Sequence, residues 1–452
     1  MPTLDLTQYF KTYGKQTIRV KCRAEGFRAS NIAESVVNVM PVAWYSKKGI
    51  TITNILQNVC KIELYIDDEL KDSIEHDVEN TDNVVISLDK YSLEPTTIYD
   101  VYAKVYIGEE AFATDVVKTA EVLGVSGLYA SNPSLVRTDD AEELEFVIDS
   151  STGQISSDFD DKFPYDEMEE ITIGDNVFIK IPAMAFRIGT DSNKNITDIA
   201  VARVPTGKGT WYETQEFYYG KYKGCVMDGK LLSKKTVPPS ASRTIANFRG
   251  YAAANGDCYH QLDIYHKTIL NFLWLIEFAT KNSDAIMTGL KTGNASATTG
   301  LTDEISTPSG FLTSNKRMKW HGIEDFVGNL LEFYDGVYIN YYTENPNNFS
   351  NDTTGKYQLS YTPSTAGQCI ASLGWDSNHP FMCMPKEEIN NSSFNTYYCD
   401  QGYAPNSSYP VCYGGASAWS NNSLGSGAFF VFNSSTDDNN ANIGARLLYS
   451  PE

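Results

Sequence analysis

From about Trp375 to Glu452 the chain is dominated by Asn, Ser, Tyr, Asp and Gly, until a short apolar ending, Ile443-Gly444-Ala445-Arg446-Leu447-Leu448-Tyr449. This composition leaves two options, a solvated tail or a folded surface rich in loops. Low hydrophobicity favours the first. Trp375, Phe381, Phe394, Tyr413 and Phe429, among other aromatics of the stretch, favour the second, since disordered tails are poor in aromatics. Asn and Ser supply adaptable hydrogen bonds, while Tyr and Trp supply large amphipathic contact area at low entropy cost, the composition of a recognition surface. The stretch therefore reads as a display surface. Its exposed, binding set is expected to be Tyr397, Tyr398, Tyr403, Tyr409, Trp419, Asn421, Asn422, Phe430, Phe432, Asn433 and Asp438, on one face. Leu273, Ile276, Phe326, Leu330, Phe333, Ile443, Leu447 and the Gly414-Gly415 turn are expected to be scaffold.

A length of 452 residues exceeds one usual domain, so two to three domains are expected. The formal net charge of -21 argues against nucleic acid and against an anionic membrane surface, both of which need clustered Lys and Arg. Ile269 to Ala279 is the longest apolar stretch, but Asn271 and Glu277 interrupt it and it is too short to span a bilayer. Met1-Pro2-Thr3-Leu4-Asp5 leads into a strand pattern without a secretory leader, which predicts cytosolic synthesis. The eight cysteines, at 22, 60, 225, 258, 369, 383, 399 and 412, form no C-x-x-C pair and are read as buried structural thiols.

Residues 1–41 read as an attachment segment, in which Ile18, Val20 and Cys22 alternate with Arg19, Lys21 and Arg23 before a Gly26 turn and a strand near Val36-Val37. Residues 42–122 carry short strands at Ile50–Thr53, Lys61–Ile66, Val84–Leu88, Tyr99–Tyr106 and Phe112–Val117, the spacing of an all-β sandwich. Residues 123–452 have a mixed pattern and read as an α+β domain. Within them the acidic run from Asp139 to Glu170 reads as solvated, because no Gly turn stands where a calcium loop needs one. Asp263 caps an expected helix through Ile269, Phe272, Leu273, Leu275, Ile276 and Ala279, whose wide apolar face makes it a buried core helix.

Several phrases carry a resemblance. The 16–39 segment resembles the closing hairpin of immunoglobulin-like repeats, and Leu93-Glu94-Pro95-Thr96-Thr97-Ile98-Tyr99 resembles a turn of fibronectin type III domains. His321 to Gly336, HGIEDFVGNLLEFYDG, resembles a phrase of the formylglycine-generating-enzyme type of C-type lectin fold. Phe163-Pro164-Tyr165, Val177 to Pro182, Tyr219-Gly220-Lys221-Tyr222, Ile264 to Thr280 and Gly322 to Glu332 follow in the order seen in C-type-lectin-like domains of phage tail adhesins. The ending, with Gly414-Gly415, Trp419, Gly425, Gly427-Ala428 and Ile443 to Arg446, resembles the variable region targeted by diversity-generating retroelements, here about 375–446. That resemblance implies a phage tail protein, made in the host cytoplasm and carried on the virion. It would bind a host-cell-surface receptor, protein or glycan, as a homotrimer joined to other tail proteins through its N-terminus. The alternatives are a bacterial surface-displayed variable protein of the same fold and a tail-spike glycan hydrolase.

No catalysis, cofactor or metal is expected. His76, His260, His266, His321 and His379 lie at no metal-binding spacing, and the late cysteines have little positive charge nearby to activate a thiol. The enzymatic branch of the resembled fold uses paired reactive cysteines or histidine-held iron, and neither pattern is present. Glu344-Asn345-Pro346-Asn347 and Trp375-Asp376-Ser377-Asn378 do not keep the residue order of the calcium-dependent sugar site of C-type lectins.

Overall fold

The computed structural model describes residues 12–20, 33–46, 48–94, 97–129, 131–207, 209–287, 289–290, 297–339, 348–350, 357–358, 360, 369–389, 398, 411–414, 430–434 and 439–451. Strands predominate, and two α-helices occur among the described residues. The chain divides into one compact unit of residues 1–121 with 204–209 and a second of 122–203 with 210–452.

In the first unit the alternation of the sequence becomes the two faces of a sheet. Along strand Asp100–Ile107, Val101, Ala103 and Val105 are buried while Tyr102, Lys104 and Tyr106 are only partly covered. This strand pairs antiparallel with Val59–Ile66, Glu110–Ala113 and Val117–Lys118, and Glu69–Glu75 extends the sheet beyond Val59–Ile66. A three-stranded sheet of Val42–Ser46, Gly49–Thr53 and Val84–Ile86 contributes Ile50, Ile52 and Ile86 to the same core as Ile62, Leu64 and Val105. Strands Gly14–Val20 and Ala33–Val39 form an antiparallel pair in register Gly14↔Val39. Just before it, buried Tyr13 donates its hydroxyl to the Asn54 carbonyl at 2.8 Å and fixes the chain to the first core.

The second unit holds both helices and its core carries the aromatic weight. Helix α1, Ile245–Ala253, starts at a capping box made by Thr244 and Asn247. Helix α2, Ile264–Phe278, is capped by Asp263, whose carboxylate accepts the His266 backbone N–H at 2.9 Å, and ends where Ala279 turns left-handed. Almost every side chain of α2 is buried, Glu277 included. Around it run antiparallel sheets, one in the order Val136–Asp139, Val122–Ser126, Ile196–Ala202, Met184–Thr190, Trp211–Thr214. Another has the order Phe146–Ile148, Gln154–Ser157, Ser309–Phe311, Met318–Trp320, Ile323–Glu324. The chain closes on itself through Leu447–Tyr449, which inserts between Phe217–Gly220 and Tyr259–Gln261.

The 321–336 phrase has a structural explanation. Glu324 and Asp325 are fully buried and receive the Arg317 guanidinium at 2.8 and 2.6 Å. Glu324 also accepts the backbone N–H groups of Gly300 and Thr302, and Asn329 donates to Asp325 at 2.9 Å. Charges removed from water survive only when so paired. Gly328 takes φ of +98°, and an added Cβ would stand 2.5 Å from the Leu290 nitrogen, so this turn requires glycine.

Candidate functional site

Of the expected display set, Tyr397, Tyr403, Tyr409, Trp419, Asn421, Asn422 and Asp438 lie outside the described residues. Phe430, Phe432 and Asn433 lie on strand Phe430–Ser434, which pairs with Val411–Gly414 in register Cys412↔Phe432 and Gly414↔Phe430. Tyr398 departs from expectation. It is fully buried in the main core of the second unit, with the Lys281 ammonium 5.3 Å from its ring centre. Trp375 and Phe381 are buried too, packed on Tyr212 and Phe186, and Met382, Cys383 and Met384 are closed from solvent. Polar composition marks a stretch as superficial on average, but large aromatic bodies within it gain most from leaving water. The first part of the supposedly variable stretch is therefore scaffold. Leu273, Ile276, Phe326, Leu330, Phe333, Ile443 and Leu447 are buried, as a scaffold role requires.

Both flanks of the polar stretch are pinned. Before it, Cys369–Gly374 pairs with Met384–Ile389, and buried Ser372 donates to Asn195 at 2.9 Å. After it, Ile443–Gly444 pairs in parallel with Leu331 and Glu332, at the start of strand Leu331–Ile339. That strand also carries Val411–Gly414 in register Glu332↔Gly414 and Phe333↔Tyr413. The segments that bracket residues 390–442 thus end in packed β-structure.

A second place in this unit gathers chemistry that sequence spacing conceals. Met318–Trp320 and Ile323–Glu324 form a hairpin closed by His321 and Gly322, with φ of +40° and +80°. Two left-handed residues make the turn whose twist suits a tight hairpin. The turn presents the His321 ring to Glu277 of α2, with Nε2 3.0 Å from Oε2. Trp320 Nε1 donates to the same oxygen at 2.7 Å. On the other side, His321 Nδ1 lies 3.8 Å from Oδ1 of Asp160. Asp160 belongs to the acidic run expected to be solvated. Asp158, Asp161, Asp166, Glu169 and Glu170 are exposed as expected, but Phe159 and Tyr165 are buried in the core, Tyr165 donating to the Leu273 carbonyl at 2.7 Å, and they leave Asp160 half-buried. Burial pushes the Asp160 carboxyl above its ordinary range.

A cavity of about 270 Å³ opens at this point, lined by Asp160, Tyr165, Asp166, Glu170, Lys319 and His321 among others. Lys221 pairs with Glu170 at 2.7 Å and with Asp303 at 2.6 Å, and the Lys319 ammonium donates to the Ile305 carbonyl at 2.6 Å. No protein-family model matches the chain, and no curated protein matches it. The sequence showed Glu277 only as a break in an apolar stretch; an ionisable residue in a helix read as buried demands buried partners, and that was the signal for this cluster.

Proposed function

We propose that the chain is a receptor-binding adhesin. In this reading the first unit is an immunoglobulin- or fibronectin-like spacer. The second is a C-type-lectin-like domain whose Asn-, Ser- and Tyr-rich stretch after Ile389 recognises a host-surface receptor without chemistry. A homotrimer carried on a phage tail would multiply weak single-site binding by raising effective concentration.

The observation that carries the reading is the pinning of both flanks of the polar stretch. Cys369–Gly374 with Met384–Ile389 on one side, and Ile443–Gly444 on the other, are held in β-structure. Binding residues concentrate in variable segments positioned by a rigid scaffold, and this arrangement permits wide substitution between fixed ends. The acidic surface directs the reading toward neutral glycans or proteins rather than polyanions.

The test is binding of the purified chain to a panel of bacterial strains and their isolated surface glycans and proteins, repeated with Tyr403→Ser and Asn421→Ala. The expected result is saturable binding to particular strains that these substitutions change. Absence of binding to any surface, or binding untouched by substitution anywhere in 397–438, overturns the adhesin reading.

A further inference from the structure

We infer that Asp160, Glu277 and His321 form a binding site for one divalent transition-metal ion of the zinc or manganese class, at the inner end of the cavity beside them. One donor atom from each residue lies within 4.8 Å of the donors of the other two. Ligand atoms bound about 2.0 to 2.2 Å from one zinc ion stand roughly 3 to 4 Å from one another. The 3.8 Å between His321 Nδ1 and Asp160 Oδ1 already falls in that range, and a bound ion would draw the remaining donors, up to 4.8 Å apart, closer together.

The independent indication is the state of the carboxylates. Glu277 is fully buried, and its Oε2 takes both donors, Trp320 Nε1 and the His321 ring. Its other oxygen, Oε1, is buried with no hydrogen-bond partner, and so is Asp160 Oδ1. Buried acceptors are almost always satisfied, and a charged one left bare is costly. Two bare carboxylate oxygens flanking one imidazole lack a cation. Arg137 lies near enough to act on Glu277 through its charge, but its Nη2 donates to the Glu277 backbone carbonyl at 2.6 Å and no hydrogen bond from it reaches either bare oxygen.

The donor set selects the ion. Two carboxylates with one imidazole suit zinc or manganese, whereas calcium requires six to eight oxygens and magnesium keeps most of its water. Asp160 and His321 line the cavity, which provides a route of entry. None of the three residues belongs to the 390–442 stretch.

The experiment is calorimetric titration of the full chain, stripped with a chelator, using Zn²⁺, Mn²⁺, Ca²⁺ and Mg²⁺ salts, together with melting curves for each. Zn²⁺ or Mn²⁺ is expected to bind once per chain and to raise the melting midpoint with ion concentration. Asp160→Asn and His321→Ala should each weaken that binding tenfold or more. Asp160 is part-exposed, so its variant keeps the fold if His321→Ala does not. Anomalous scattering from zinc-soaked crystals should place the ion between the three side chains. No binding of either ion, equal binding by wild type and Asp160→Asn, or an ion located elsewhere overturns the site.

Discussion

Arg446 Nε donates to Glu332 Oε1 at 2.7 Å, and both side chains are fully closed from solvent. The same guanidinium reaches the carbonyls of Gly220, Lys221, Glu324 and Asp325, and Lys223 Nζ lies 3.1 Å from Glu332 Oε1. The pair ties the segment just after the polar stretch to strand Leu331–Ile339.

Arg446→Ala should unfold the second unit readily. It leaves Glu332 charged and buried without its main partner, a loss of about 3 to 5 kcal/mol. Urea denaturation followed by tryptophan fluorescence measures it. A loss under about 1 kcal/mol, the usual worth of an exposed pair, would show that the clamp contributes little.

Scaffold and display positions should separate in paired assays. Phe326→Ala and Leu273→Ala remove buried side chains and should cost about 2 to 5 kcal/mol each. Tyr403→Ser and Asn421→Ala should alter binding while leaving the melting midpoint nearly unchanged. Tyr398→Ser belongs with the first group, since Tyr398 is core. Equal destabilisation by both groups would contradict the division.

The first unit should have an acid limb governed by Glu63. Hydrogen bonds from Tyr106 at 2.6 Å and Lys61 at 2.9 Å hold its carboxyl down to about 2. A carboxyl lowered on folding stabilises above its unfolded value, about 4.3, and that contribution fades as pH falls toward 2. Tyr106→Phe should raise the Glu63 pKa and flatten this limb. Carbon-detected NMR titration reads the shift, and an unchanged pKa would refute the assignment.

Gly328→Ala should destabilise more than an ordinary glycine replacement, because the turn is left-handed and the added methyl meets backbone at 2.5 Å. Thermal melting against Gly229→Ala, whose surroundings are open at a similar positive φ, isolates the steric part. Equal losses would assign the whole effect to φ.

A homotrimer should give a solution mass of three chains by light scattering. The paired strands Gly14–Val20 and Ala33–Val39 are a two-stranded sheet, marginal by itself, which rotational symmetry would provide with equivalent neighbours. A monomer at micromolar concentration rules the trimer out.

Local patterns were legible in the sequence because their causes are local. Alternation marked the strands at Lys61–Ile66 and Tyr99–Tyr106, and Asp263 before an apolar run marked α2, since strand period and helix capping depend only on near neighbours. The strand Glu69–Glu75 escaped notice because its residues are mostly polar and half-exposed. Composition also marked the stretch from about Trp375 as polar, and net charge argued against polyanion partners. What only the tertiary structure decided is which polar and aromatic residues go inside. Tyr398, Trp375, Asp160 and Glu277 are drawn inward by partners distant along the chain, and His321 meets Glu277 and Asp160 only after a hairpin tip, a helix and an acidic turn converge. Burial and pairing are properties of the packed chain, and residue type supplies only the inclination.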